Sequence, residues 1–173
     1  LLSFSVVFSF TISATDIKIT DTDNNLTITE KSLTEFTFVN HLSDLQTMMV
    51  KTKDGNFVKL IVSGYGENAK HGNAELPVLE ELINIPFGST VEIKILNTEE
   101  QIISLSDYGI DNLIFPSQPS ISKGENAEDV SFYFNENYYA EDDFYAHKLI
   151  TTEYLGKMRG QQLARISVAP FQY

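Results

Sequence analysis

An all-β fold is what the sequence predicts: an antiparallel β-sandwich of jelly-roll or immunoglobulin-like type, with one short helix left open. Three observations predict it. Runs of β-branched and aromatic residues recur from residue 24 onward, separated by Gly, Pro, Asn and Asp at spacings of about ten residues. Helical periodicity is scarce. Within the clearest run, "TVEIKIL", Val91, Ile93 and Ile95 fall on one face while Glu92 and Lys94 fall on the other, the alternation of a strand with one wet face in an antiparallel sheet.

Taken in order, the expected strands are 25–29 (NLTIT), 34–40 (TEFTFVN), 56–64 (NFVKLIVSG), 89–97 (STVEIKILN), 101–106 (QIISLS), 130–134 (VSFYF) and 160–171 (GQQLARISVAPF). Between them sit 53–55, 64–73, 86–89, 107–112 and 116–129, each with residues that reverse a backbone. The run 76–86 (LPVLEELINIP) stays open. Leu79, Leu82 and Ile83 have helical spacing after Pro77, Pro86 would end such a helix, and a strand is equally compatible.

The chain has 173 residues, enough for one core and one domain. Its net charge of -12 excludes nucleic-acid binding, which needs clustered Lys and Arg, and favours a basic partner. Without cysteine there is no disulfide, no thiolate nucleophile and no thiolate metal site. Residues 1–14 (LLSFSVVFSFTISA) are uncharged, too short to span a bilayer, and end in small residues; they are expected to be the remnant of a secretory signal cleaved after Ala14. A strand is the competing reading, because Phe4, Val6, Phe8, Phe10 and Ile12 alternate. No longer apolar run follows, so no membrane span is expected.

Catalytic chemistry finds little support. His41, His71 and His147 lie on separate segments with no second ligand at metal spacing, and no nucleophile elbow surrounds a serine. The chain is therefore expected to be no enzyme and to hold no metal or cofactor. Glu141, Asp142 and Asp143 form an acidic cluster, without the alternating ligands of a calcium loop. The surrounding aromatics, Tyr138 and Tyr139 among them, are candidates for a sugar- or protein-binding face and equally for core. Lys123 stands on a loop between Pro119 and an acidic run, followed by Gly124. Most such lysines are ordinary surface residues, and Arg159-Gly160 offers a second basic-glycine pair.

Several motifs in series carry a resemblance: residues 71–95 (HGNAELPVLEELINIPFGSTVEIKI), 116–124 (PSQPSISKG), 137–150 (NYYAEDDFYAHKLI) and 154–173 (YLGKMRGQQLARISVAPFQY). In order and content they resemble the N-terminal prodomain of gingipain-type cysteine peptidases, over roughly 55–173, with a looser likeness over 15–54. The resemblance implies a β-sandwich prodomain at 15–173, truncated at its C-terminal end, from a zymogen secreted through the periplasm of a Gram-negative bacterium to the medium or cell surface. It implies as partner the catalytic domain of such a peptidase, which the prodomain helps to fold and keeps latent.

It further implies that a basic loop residue occupies the enzyme's specificity pocket. The matching position is Lys123, with Ser122, Gly124 and Glu125 around it. A lysine there suggests a lysine-preferring or dual-specificity enzyme. Arg159 matches an arginine-glycine pair at the entrance to a late strand, a structural role. Tyr138, Tyr139, Asp142 and Asp143 are the further candidates for an interface. The alternative function is a stand-alone secreted binding or adhesin-like module using the aromatic segment 132–145.

Overall fold

The computed structural model describes residues 14–21, 25–32, 34–124, 130–141 and 148–173. Among the described residues nine strands carry the fold, and each strand ladder between them is antiparallel. The first sheet has the order β1 (Ala14–Lys18), β4 (Asp44–Thr52), β5 (Gly55–Ile61). A two-stranded sheet pairs β2 (Asn25–Lys31) with β3 (Phe36–His41). A four-stranded sheet has the order β6 (Gly66–Glu67), β7 (Pro77–Ile85), β9 (Gln161–Val168), β8 (Ile150–Met158).

Strand periodicity places the core. In β4, Leu45 and Thr47 point inward on alternate positions, and in β5 Val58 and Leu60 do the same beside a buried Phe57. Leu45, Val58 and Leu60 join Ile17 of β1 and Val62, Ala74, Leu76, Ile110, Ile114 and Tyr138 in one apolar cluster. Leu79, Ile166 and Val168 form a second, covered by Leu26, Phe36 and Phe38 of the β2–β3 hairpin. Tyr65 fastens the two regions, donating its hydroxyl to Asn40 Oδ1 at 2.8 Å. Cross-strand register keeps the apolar face continuous, with Leu79 opposite Val168 and Val168 opposite Ile150.

The expected strands near 25–29, 34–40, 56–64 and 160–171 are present with shifted ends. The open segment 76–86 is β7: Pro77, Val78 and Leu79 are buried consecutively because the strand enters between two layers. Three expected strands form no ladder. Segments 89–97, 101–106 and 130–134 are extended or irregular, with a 3-10 turn at Leu105–Tyr108 inside the second. Alternation selects a face, but a strand also needs a neighbour at hydrogen-bonding distance. Segment 86–91 is tied instead by one buried side chain: Gln162 donates to Ser89 O at 2.9 Å and accepts from Gly88 N at 3.0 Å.

Four strands went unforeseen: β1, β4, β6 and β8. β4 and β8 interrupt their strand-forming residues with Asp, Lys, Glu and Gly, which are depleted in strands, and pairing with β5 and β9 holds them in the sheets. The one α-helix, α1 (Glu136–Ala140), begins at Asn135, whose side chain accepts from Tyr138 N. Residues 1–13, with most of the expected signal segment, lie outside the described residues. Among the described residues no helix is long and apolar enough to cross a membrane.

Candidate functional site

The segment leading to Lys123 is rooted in the core. Ile114 and Pro116 are buried, and Ser117 is nearly so. Phe115 N donates to Val58 O at 2.8 Å and Val58 N donates to Leu113 O at 2.9 Å, which lays the segment alongside β5. Phe115 also packs edge-on against Phe57, whose ring meets Phe132 and Phe134 of the returning chain. The aromatics of 130–134 therefore close the root of the loop.

Gly72 joins the outgoing and returning chains. Its N–H donates to Ser117 O at 2.8 Å, and its carbonyl accepts from Asn135 N at 2.9 Å. Asn135 Nδ2 donates to Asn73 Oδ1 at 2.8 Å, and Asn73 O accepts from Ser117 N at 2.8 Å. Gln118 then bridges to Tyr133, donating to its carbonyl at 2.8 Å and accepting from its N–H at 2.9 Å. Lys53, at the β4–β5 turn, donates to Val130 O at 3.2 Å. A cleft of about 190 Å³ lies at this root, between the turn residues Thr52–Asp54 and Gln118, Pro119 and Phe132.

Beyond Pro119 the chain leaves the body. Ile121, Ser122, Lys123 and Gly124 are all exposed, with Lys123 and Gly124 in a turn. Gly124 has φ of 102°, a conformation other residues rarely adopt, and a Cβ there would meet nothing within 4 Å. Glycine is thus required by the backbone of the turn itself. Glu125, Asp142 and Asp143 lie outside the described residues.

Tyr138 and Tyr139 are not an exposed face, which corrects the expectation for them. Tyr138 is 5% exposed within the main core. Tyr139 stacks on Phe134 at 4.6 Å between ring centroids and donates its hydroxyl to Ile114 O at 2.7 Å. Burial pushes the Tyr139 phenol well above its ordinary range, helped by the neighbouring Tyr173, Tyr138 and Glu75, so it remains a donor. Both rings sit inside because α1 folds them against Ile114, directly before the loop. Tyr138 and Tyr139 support the loop from within, whereas Tyr133 and Phe134 of the same aromatic segment are exposed.

One charged cluster stiffens the same region. Lys59 Nζ is 2.9 Å from Glu75 Oε2, 3.2 Å from Glu67 Oε2, and 5.2 Å from the centroid of the Phe115 ring. Burial pulls the Lys59 ammonium down, but the two carboxylates outweigh it and the net shift is upward. Burial pushes the Glu75 carboxyl up against the opposing pull of Lys59. The two directions favour different states of the pair. The Lys59 direction is the firmer one, since two anions converge on a single cation.

Arg159 occupies the two-residue β8–β9 turn with Gly160, between the paired Met158 and Gln161, at φ of 52°. It is a turn residue on the surface, far in sequence from the loop root. Sequence reading had missed Gly72, Asn73, Gln118 and Asn135. Their signal is faint, a glutamine between two prolines and asparagines scattered among loops.

The sequence model described as Propeptide_C25 matches residues 18–173. The chain belongs to this family. Lys-gingipain from Porphyromonas gingivalis strain ATCC 33277 is 32% identical over 157 residues, covering 91% of this chain and 9% of that protein. Lys-gingipain W83 from the same species matches to the same extent. The chain thus spans about a tenth of the length of these relatives. A solved chain from work on the zymogenic latency of gingipain K from Porphyromonas gingivalis superposes with a TM-score of 0.88 at 31% identity, over 93% of this chain and 88% of that one. The complex of Porphyromonas gingivalis RgpB pro- and mature domains gives a TM-score of 0.67 at 18% identity, over 86% of this chain and 74% of that one, a likeness of fold. The propeptide reading of the motif series is therefore correct, and the all-β architecture is that of a gingipain prodomain.

Proposed function

We propose that this propeptide holds a secreted gingipain-type cysteine peptidase latent and assists its folding, and that Lys123 enters the enzyme's specificity pocket in a substrate-like pose. The observation that supports this most is the exposure of Lys123 in a turn five residues beyond Gln118, in a loop whose root is tied on both sides. A basic side chain on a projecting, anchored loop is the shape a lysine-cleaving enzyme reads, and the similarity to Lys-gingipain agrees with lysine at that position. The partner is the catalytic domain of such an enzyme, in the periplasm and then at the surface or outside a Gram-negative cell.

The Lys123 ammonium, paired with an acidic pocket floor, contributes about 1.5–3 kcal/mol as a charged hydrogen bond. The rest of the affinity comes from a broader interface that excludes water around this anchor. Burying 114–118 before binding lowers the ordering cost of the loop. The test is titration of the purified chain and of Lys123→Ala against a lysine-cleaving gingipain-type peptidase. The variant is expected to inhibit roughly 10- to 100-fold less well, each tenfold being about 1.4 kcal/mol. Equal inhibition by variant and parent overturns the assignment of Lys123. In that event, refolding yield of the catalytic domain with and without the chain decides whether folding assistance remains.

A further inference from the structure

We infer that Gln118 is a positioning residue for Lys123: its side-chain amide stands in for a missing strand and locks the two ends of the loop together. This rests on the assignment of Lys123 to the peptidase pocket. The chain leaves the core at 118 and re-enters it by 133, yet no ladder joins these ends, because 130–134 is not a strand. Gln118 supplies the missing pairing. Its Oε1 accepts from Tyr133 N at 2.9 Å and its Nε2 donates to Tyr133 O at 2.8 Å, the donor-acceptor pair that a neighbouring strand would offer. Nε2 also lies 2.9 Å from Pro116 O and 3.2 Å from Ser117 O, which orients the amide from its own side.

Geometry fixes which end of the amide is which. Three carbonyls surround Nε2 and one N–H faces Oε1, so a flipped amide would set oxygen against oxygen. Gln118 is itself partly buried, with part-buried bonds to Pro116 O and Ser117 O on its own side, while its two bonds to Tyr133 lie at the surface. Loop entropy gives the consequence. Tying 118 to 133 restricts where Lys123 can travel, and restricting a loop before binding reduces what must be ordered on binding. Nearby bonds through Gly72, Asn73 and Asn135 hold the deeper root, so loss of Gln118 frees the loop and leaves the core in place.

The experiment compares Gln118→Ala, Gln118→Met, Lys123→Ala and the Gln118→Ala/Lys123→Ala double variant of the purified chain. Readouts are melting temperature, inhibition of a lysine-cleaving gingipain-type peptidase, and the rate at which an unrelated lysine-cleaving serine peptidase cuts after Lys123. Gln118→Ala and Gln118→Met are both expected to inhibit at least fivefold less well. Both should be cut faster after Lys123, with cutting after Lys157 unchanged as a control for global loosening. The double variant should inhibit no worse than Lys123→Ala alone, because Gln118 acts through Lys123. Parent-like inhibition by both Gln118 variants, beside a weakened Lys123→Ala, overturns this inference while leaving the Lys123 assignment intact. Additive losses in the double variant, or retained inhibition by Gln118→Met with lost inhibition by Gln118→Ala, overturn it as well, since packing alone then accounts for the effect. Parent-like inhibition by Lys123→Ala is the separate failure of the underlying assignment.

Discussion

Replacing Gly72 with alanine is the sharpest structural test of how the loop is held. Gly72 has φ of 88°, so any side chain there is strained by the backbone alone. It also meets a second obstacle. A Cβ would sit 3.1 Å from Asn135 N and 3.4 Å from Asn135 Cβ, and the first of these is backbone that already donates to Gly72 O. Strain at a positive φ costs about 1–2 kcal/mol. Displacing Asn135 adds the weakening of a backbone hydrogen bond, about 1 kcal/mol. The expected total is about 2–3 kcal/mol, and for a chain of this size each kcal/mol lowers the melting temperature by roughly 2–4 °C. Gly64→Ala is the control: Gly64 has φ of 81° and open space around the added carbon, so it carries the backbone term alone. Thermal unfolding followed by circular dichroism should show Gly72→Ala melting several degrees below Gly64→Ala. Equal losses in the two variants would refute the close approach of Gly72 to Asn135 as an energetic feature.

Two further outcomes follow from the turn and from the charged cluster. Arg159→Gly should raise the melting temperature by a few degrees, since Arg159 holds φ of 52° in a two-residue hairpin that favours Gly or Asn; a lowered value would restore the stronger structural role first expected of the arginine. Lys59→Met keeps the apolar stem but removes the cation from Glu75, which is only 15% exposed. Burial, opposed by Lys59, already holds the Glu75 carboxyl above its ordinary range. A raised carboxyl adds stability below its unfolded pKa and loses it as pH rises through the folded value, and without Lys59 that upper limit moves higher still. The variant should therefore lose about 1–3 kcal/mol at pH 7 and distinctly less at pH 4, measured as the difference from parent in urea unfolding. The same loss at both values would show that Glu75 is not the group responsible.

What the sequence made legible follows a physical division. Strands that bury one face announce themselves, as 56–64 did, because Val58, Leu60 and Val62 must alternate with wetter neighbours to reach the core. Residues 89–97 carry the same pattern and form no ladder, since Ile95 and Leu96 are exposed and the alternation says nothing of whether a partner strand lies beside them. β8 shows the converse: Glu153, Lys157 and Gly156 conceal a strand that pairing with β9 creates. Lys123 was found through the series of motifs around it, its own residue type being uninformative. Tyr138 and Tyr139 stayed open between binding face and core because an aromatic cluster has one composition whether it faces water or Ile114.

Amide side chains make the side-chain bonds between the outgoing and returning chains at the loop root, with the Lys53 ammonium on Val130 O as a charged contact beside them. With 24 acidic residues against 12 basic ones, a carboxylate is the commonest charged side chain available for pinning a backbone. One placed at the root would attract the Lys123 ammonium back toward the body and would change its grip with pH. Asn73, Gln118 and Asn135 make the direct bonds between the outgoing and returning chains, and none of them titrates. The ionised cluster of Lys59 with Glu67 and Glu75 meets the root at Phe115, through the ring face under Lys59 and through Glu75 N donating to Phe115 O at 2.9 Å. Amides also hold chains that are not in strand register, as Gln162 does for Gly88 and Ser89 on the other sheet. The same device in both places lets an antiparallel fold fix irregular segments without extending its ladders, and at the Lys123 loop it leaves Lys123 exposed to solvent.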